Sequence, residues 1–150
     1  MMTPQEFDFD FAELMVLSSL SPSNWRPNML IVCGETSKET AATQVAMWCP
    51  GSAHVCRLPG PVDLPSACDT LVLSDVAELD VPQQLVLYDW MSSHHGTRVI
   101  SITSGDVPAL IREARFLEGL YYRLNTVRVD AQQPRSYRTP WTRREKIQLW

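Results

Sequence analysis

Five short runs of apolar and β-branched residues divide the chain at intervals typical of strands in an α/β protein. Three of the runs lack the alternation of apolar and polar positions that one exposed face produces, which predicts strands buried on both faces. The sheet should therefore lie inside the molecule. The predicted strands are Met29–Cys33, Ala53–Arg57, Thr70–Ser74, Arg98–Thr103 and Thr126–Val129.

Most of these strands are separated by segments whose apolar residues recur at helical spacing. One segment has Asp80 and Gln83 at the positions of a capping box, with Leu85, Tyr88 and Met91 along one face. Strands that alternate with helices predict a parallel sheet with helices on both faces. We therefore expect a three-layer, doubly wound α/β fold with a parallel five-stranded sheet. The predicted helices are Lys38–Trp48, Val81–Ser93, Asp106 to about Ala114, and Arg115–Leu124.

Other segments do not follow this alternation. Leu58–Pro65 contains three prolines and a glycine, which predicts a loop. Phe7–Leu20 is expected to form a covering helix, and residues 131–150 a loosely held tail, because the tail lacks periodicity. These expectations divide the chain into an α/β domain at residues 1–130 and a basic tail at residues 131–150.

Composition places the chain among ordinary globular proteins. Its 150 residues, 45% hydrophobic and 20% charged, suffice for one domain with a buried core. The net charge of −4 argues against nucleic acid as the main partner. The tail is basic, and two interpretations stay open for it: a solvated segment, or one that binds a polyanion or docks. Its basic residues are Arg135, Arg138, Arg143, Arg144 and Lys146.

No apolar run approaches the roughly 20 residues that a membrane helix needs, and the N-terminus lacks the pattern of a signal peptide. We therefore expect a cytoplasmic protein whose four cysteines are reduced thiols. The C-x4-H-x-C spacing of Cys49, His54 and Cys56 matches no common closed zinc site. No metal site is predicted.

Ligands of such folds gather where the strands end. The segments after the first, third and fourth strands contain GETSKETAAT, SDVAELD and SGDVPALIREARFLEGLYYRLN. This series resembles the AAA+ ATPase domain, a P-loop NTPase, of bacterial sigma-54-dependent transcription activators. Arg143–Ile147, RREKI, is similar to the start of that family's helical lid, which is otherwise expected to be missing. The residues in register are Asp106, Leu110, Ile111, Phe116, Leu120, Tyr121, Tyr122, Arg123, Leu124 and Asn125.

The resemblance implies a nucleotide site, and the residues at that site depart from the family pattern. A phosphate-binding loop has the form G-x-x-x-x-G-K-[ST], in which backbone N–H groups surround the phosphates and the lysine reaches them. Residues 34–38, GETSK, are two residues shorter and keep one glycine. The remnant site would comprise Gly34, Lys38, Glu39 and Asp75.

Further departures affect the metal and the arginines that the resemblance implies. Ser74 and Asp75 stand where the family has Asp and then Glu, which hold magnesium and polarise water. Ser104 and Gly105 stand where it has a polar sensor residue and an arginine. Leu117 replaces the first of two family arginines that stabilise phosphoryl transfer in a neighbouring subunit, and Arg123 alone remains. The structural alternative for Arg123 is a surface or capping role.

Our leading hypothesis is a non-catalytic, sigma-54-activator-like AAA+ core that acts as a protein-interaction module in transcription control. We expect no catalytic residues, no bound ATP or magnesium, and a protein partner: a true AAA+ activator or another copy of the chain. Only 12 residues separate Cys56 from Asp69, where the family has its longer sigma-contacting GAFTGA insertion. We also expect no helix-turn-helix, and therefore no direct DNA binding.

Two alternatives belong to other classes of protein. One is a residual ATP-binding sigma-54 interaction domain of a transcriptional response regulator, with ATP at the remnant site. The other is a receiver-like domain phosphorylated on Asp75. The sequence argues against the receiver, because it lacks an acidic pair after the first strand and a lysine near the fifth.

Overall fold

The structure is a computed structural model, and it describes residues 27–130. The predicted helix at Phe7–Leu20 and the predicted tail at residues 131–150 lie outside the described residues.

The described residues form one sheet of five parallel strands, in the order β2-β3-β4-β1-β5. The strands are β1 (Met29–Val32), β2 (Ala53–Cys56), β3 (Thr70–Leu73), β4 (Arg98–Thr103) and β5 (Val127–Asp130). The helices are α1 (Lys38–Trp48), α2 (Val81–Ser92), α3 (Val107–Arg112) and α4 (Glu118–Leu124), with single 3-10 turns at Glu35–Ser37 and Val76–Glu78. The predicted parallel α/β fold is confirmed.

The helices cover both faces of the sheet, which produces three layers and two apolar cores. Successive strand residues point to opposite faces, so the neighbours Leu30 and Ile31 belong to different cores. On one face, Ala42 and Val45 of α1 pack in the same core as Ile31. On the other face, Leu30 shares a core with residues of α2, α3 and α4, among them Leu120.

The capping box that opens α2 is confirmed, but the predicted buried face of this helix was partly wrong. Asp80 accepts a hydrogen bond from the Gln83 backbone N–H at 2.8 Å, and the Gln83 side chain accepts one from the Asp80 N–H at 3.0 Å. Leu85 is 50% exposed, whereas Gln84 is completely buried. A polar residue, Gln84, thus occupies the core position at which the apolar pattern had placed Leu85.

The segment between α3 and α4 differs from the prediction. The helix expected to reach Ala114 ends at Arg112, and the next helix begins at Glu118 instead of Arg115. Ala114 has a φ of 60°, in the left-handed region, which reverses the backbone and ends helical hydrogen bonding. The Arg115 N–H then donates to the Leu110 carbonyl at 2.8 Å.

The predicted loop after β2 is confirmed. It joins two parallel strands, a connection that usually contains a helix. Residues 57–69, hereafter the β2–β3 loop, join two adjacent parallel strands without regular structure. Leu58 is buried on the α2 side of the sheet, and Val62 and Leu64 pack against the same core. Side chains of neighbouring elements donate hydrogen bonds to backbone carbonyls of this loop. These bonds join Gln83 to Gly60, His54 to Asp63, Trp90 to Pro65, His94 to Ser66, and Thr97 to Cys68.

Candidate functional site

The strand order places a crevice at the edge of the sheet where the strands end, hereafter the carboxyl edge. After β1 the chain continues to β2, which lies on the β4 side of β1. After β4 it continues to β5, which lies on the opposite side of β1. Connections that diverge from adjacent strands open a crevice between their loops, the usual ligand position in this architecture. The loops after β1, β3 and β4 surround this position.

Lys38 lies in this crevice and contacts two carboxylates. It is the first residue of α1, after an extended Gly34 and the 3-10 turn at Glu35–Ser37. Its Nζ forms an ion pair with Asp75 Oδ2, and a second one with Glu35 Oε2 at 2.6 Å. The side chains of Lys38 and Asp75 are 14% and 4% exposed, whereas Glu35 is 74% exposed. We call these three residues the ion-pair cluster.

Asp75 is fixed by contacts from three elements. It follows β3, and its Oδ1 accepts hydrogen bonds from the Ala77 N–H at 3.3 Å and from Thr103 Oγ1, at the end of β4, at 3.4 Å. Thr103 Oγ1 in turn accepts from the Gly105 N–H at 3.0 Å. Both oxygens of the Asp75 carboxylate are therefore in contact with protein donors, one of them the Lys38 ammonium.

The charges of the cluster stabilise one another. Burial acts to lower the pKa of Lys38, but its hydrogen bonds to Asp75 and Glu35 outweigh burial and raise that pKa above its ordinary value. The pKa of Glu35 is lowered by its hydrogen bonds with Lys38 and with Ser104 Oγ, the latter at 2.8 Å. Burial, and then the charge of Asp75, raise the pKa of the nearby Cys33 thiol to about 12. Cys33 is therefore a neutral, unreactive thiol.

Ser74, the residue expected at the metal position, contacts the β2–β3 loop. Its hydroxyl accepts a hydrogen bond from the Leu58 N–H at 2.7 Å and donates to the Leu58 carbonyl at 3.4 Å. The side chain is buried in this contact. It therefore holds the end of β3 to the start of the loop.

The structure brings together only part of the predicted remnant site. Lys38 and Asp75 are in contact, and Gly34 lies in the loop between β1 and Lys38. Glu39 is exposed on the outer side of α1 and pairs with Arg57. The prediction omitted Thr103, a residue that could be found only once the strand order placed the end of β4 beside the end of β3.

Arg123 lies at the opposite edge of the sheet, where the strands begin, hereafter the amino edge. Its guanidinium carbon is 4.1 Å from the centre of the Tyr88 ring, and its Nη1 donates to Ser92 Oγ at 2.8 Å. The Arg123 carbonyl accepts from Asn28, directly before β1, at 2.9 Å. These contacts join α4 to α2 and to the start of β1, so Arg123 has partners within its own chain.

Within residues 27–130, no three His, Cys, Asp or Glu side chains come together in a way that could hold a metal ion. In the same range, no helix combines the length and apolar character needed to cross a membrane. Among the described residues at the carboxyl edge, the ion-pair cluster is the main concentration of charge.

Comparisons with known proteins agree with this fold. Residues 64–133 match the family described as the sigma-54 interaction domain. Over these residues the chain is similar to the AAA+ core of sigma-54 activators. The resemblance inferred from the loop sequences is thereby confirmed. Comparison of the sequence with curated proteins gives no match.

Solved structures of other proteins have a similar fold. NtrX from Brucella abortus in complex with ATP superimposes with a TM-score of 0.62 at 16% identity, over 97% of this chain and 38% of NtrX. The complex of NtrX with ADP superimposes with a TM-score of 0.61 at 16% identity, over 85% of this chain and 35% of NtrX. The P-loop NTPase domain of a sigma-54 transport activator from E. coli superimposes with a TM-score of 0.51 at 16% identity, over 84% of this chain and 93% of that domain. The chain thus spans little more than a third of NtrX.

Proposed function

We propose that this AAA+ core is a non-catalytic interaction module of transcription control, which acts by contact with another protein and does not hydrolyse ATP. The observation that supports this proposal most is the ion-pair cluster. Lys38 stands where a phosphate-binding lysine is expected, and it is already neutralised by Asp75 and Glu35. A phosphate group would have to compete with two carboxylates of the protein itself.

The other residues at the carboxyl edge also suit Mg-ATP poorly. The loop before Lys38 has a single glycine and a 3-10 turn, which leaves few backbone N–H groups to surround phosphates. Ser74, at the expected metal position, is bonded to Leu58. Asp75 is the one carboxylate at the two positions after β3 where the family pattern has Asp and then Glu, and it pairs with Lys38. We therefore assign no step of phosphoryl transfer to these residues.

Millimolar Mg-ATP is expected to leave the melting temperature of the protein unchanged. A ligand at about 100 times its Kd adds about 2.7 kcal/mol to stability. That increment would raise the Tm of a domain of this size by roughly 5–10 °C. Differential scanning fluorimetry with and without Mg-ATP, and with magnesium alone as the control, measures this difference.

A rise in Tm with Mg-ATP would support the alternative, a residual ATP-binding domain of a response regulator. The variant Glu39→Gln serves as a matched control, because Glu39 lies outside the ion-pair cluster. A nucleotide-dependent shift that vanishes in Lys38→Ala but persists in Glu39→Gln would place ATP at Lys38 and favour the ATP-binding alternative.

The partner that we propose is a catalytically competent AAA+ activator, or a second copy of this chain. The match to the sigma-54 interaction domain supports a role among proteins that act on sigma-54. In such assemblies an incoming subunit supplies arginines to the ATP site of its neighbour. This chain has Leu117 at one of the two positions and Arg123 at the other. A mixed assembly would therefore contain an ATP site that lacks one of its two arginines.

Adding this chain to a competent activator is expected to lower ATPase activity more than in proportion to its share of subunits. The reason is that loss of an arginine of this kind reduces the rate by about 10³–10⁵. Steady-state phosphate release at increasing subunit ratios measures the effect. If Arg123 serves only to join α4 to α2, Arg123→Ala will inhibit as the wild type does and will only lower stability. Absence of inhibition by either form at subunit excess would reject a mixed assembly.

A further inference from the structure

A pocket with a volume of about 380 Å³ opens at the carboxyl edge, on the face of the sheet that α3 and α4 cover. Arg128 of β5 reaches it from the sheet. Val127 and Val129 are buried in the core on the α1 side, and the residue between two such neighbours in a strand points to the opposite face. The volume lies near the lower limit of roughly 300–1,000 Å³ for small-molecule sites, so the pocket suits a small ligand.

Two opposite charges line this pocket, and neither has a partner of opposite charge among residues 27–130. One is the guanidinium of Arg128, which is exposed. The other is the carboxylate of Asp106, directly before α3. Its Oδ1 accepts a hydrogen bond from the Ala109 N–H at 3.1 Å, which leaves Oδ2 for a further donor. The two side chains thus offer one position for an anionic group and another for a cationic group.

Tyr121 of α4 contributes both a polar group and an apolar surface to the pocket. Its hydroxyl oxygen accepts a hydrogen bond from Asn125 Nδ2 at 3.3 Å, so the hydroxyl hydrogen is available for an acceptor in the pocket. The apolar lining includes the tyrosine ring, Val32 and Pro108. A few polar groups in an otherwise apolar pocket are the usual means by which a protein orients a small ligand.

The pocket lies beside the ion-pair cluster and is distinct from it. Ser104 lines the pocket, and its hydroxyl donates to Glu35 at 2.8 Å. Lys38, Asp75 and Glu35 themselves are not among the residues that line the pocket. A ligand in the pocket therefore does not have to displace the ion pairs of Lys38.

We propose that this pocket binds an α-amino acid with an apolar side chain. The carboxylate of the ligand pairs with Arg128 and accepts a hydrogen bond from the Tyr121 hydroxyl, and its ammonium group donates to Asp106. Its side chain packs against Val32 and Pro108. Phosphate suits the pocket less well, because it has no ammonium group and Asp106 repels an anion. This site is independent of whether Lys38 binds nucleotide.

Isothermal titration calorimetry of the whole chain with L-leucine and with L-phenylalanine tests the proposal. At least one of the two is expected to bind with a millimolar or lower Kd. The corresponding α-hydroxy acid lacks the ammonium group, and the corresponding amide lacks the carboxylate, while each keeps the side chain. Both derivatives should bind about tenfold more weakly, because each loses a charge-assisted hydrogen bond.

Three variants assign the contacts to residues. Arg128→Gln and Asp106→Asn should each weaken binding of the amino acid about tenfold, whereas Arg112→Gln should bind it as the wild type does. Asparagine caps helices as well as aspartate does, so Asp106→Asn keeps the bond to the Ala109 N–H. Arg112 is an exposed arginine of α3 that does not line the pocket, and its variant controls for the loss of one positive charge.

Three results would overturn the proposal. The first is absence of binding by both amino acids at millimolar concentration, in calorimetry and in ligand-observed NMR. The second is an α-hydroxy acid that binds as tightly as its amino acid. Both of these measurements need only the wild-type protein. The third is equal affinity for the amino acid in Asp106→Asn and in the wild type.

Discussion

Replacing Lys38 by methionine is expected to lower the free energy of unfolding by about 3 kcal/mol, because it leaves the buried carboxylate of Asp75 without its cation. Thr103 and the Ala77 N–H still donate to this carboxylate, but both bonds are long and neither donor carries a charge. Urea unfolding followed by circular dichroism at neutral pH measures the loss.

Two further variants separate the buried pair from general effects of substitution. Glu35→Gln, which removes the exposed partner of Lys38, is expected to change stability little, because solvent screens exposed pairs. The double variant Lys38→Met, Asp75→Leu removes both charges and should recover much of the stability lost in the single variant. A Lys38→Met protein as stable as the wild type would show that the Lys38–Asp75 contact is absent in solution.

Replacing Gln84 by alanine is expected to destabilise the protein by about 3 kcal/mol, because buried hydrogen-bonding groups lose their partners. Gln84 is completely buried in α2, and its Nε2 donates to the carbonyls of Leu79 and Arg115, each at 3.0 Å. Its Oε1 accepts from the Leu117 N–H at 2.8 Å. The side chain thereby fixes the start of α4 to α2.

Gln84→Met distinguishes the lost hydrogen bonds from a cavity, because methionine fills a similar volume. If hydrogen bonding dominates, Gln84→Met and Gln84→Ala should lose similar amounts of stability in urea unfolding. The exposed neighbour Leu85→Ala is the matched control in the same helix and should change stability little. Wild-type stability in Gln84→Ala would contradict the assigned role.

The fold could be predicted from the sequence because its signals are local. Apolar runs marked all five strands to within a residue or two, and the capping box marked the start of α2. The errors arose where tertiary contacts override local pattern. Gln84 is polar yet buried, because the segment around Arg115 and Leu117 supplies its partners. Ala114 adopts a left-handed conformation that ends α3, and an alanine in the sequence does not indicate such a conformation.

The candidate site could be predicted only in part, for a related reason. Lys38 and Asp75 were identified through the family pattern, and they are in contact. Their contact with each other, and the contribution of Thr103, depend on the order of the strands, which periodicity does not determine. Glu39 was placed with them by the pattern alone, but its position on α1 directs it towards Arg57.

The positions of Lys38 and Arg123 at opposite edges of the sheet determine what kind of symmetry an assembly of such chains can have. A contact that brought Arg123 of one chain to the carboxyl edge of another would join two different surfaces. If each chain makes this contact head to tail with the next, the contact is heterologous, and it leaves one unused surface of each kind at the two ends of the assembly. Growth then ends only when the rotation between neighbours closes a ring, and otherwise continues as a filament, whereas a twofold dimer would have to make the contact twice, once from each chain.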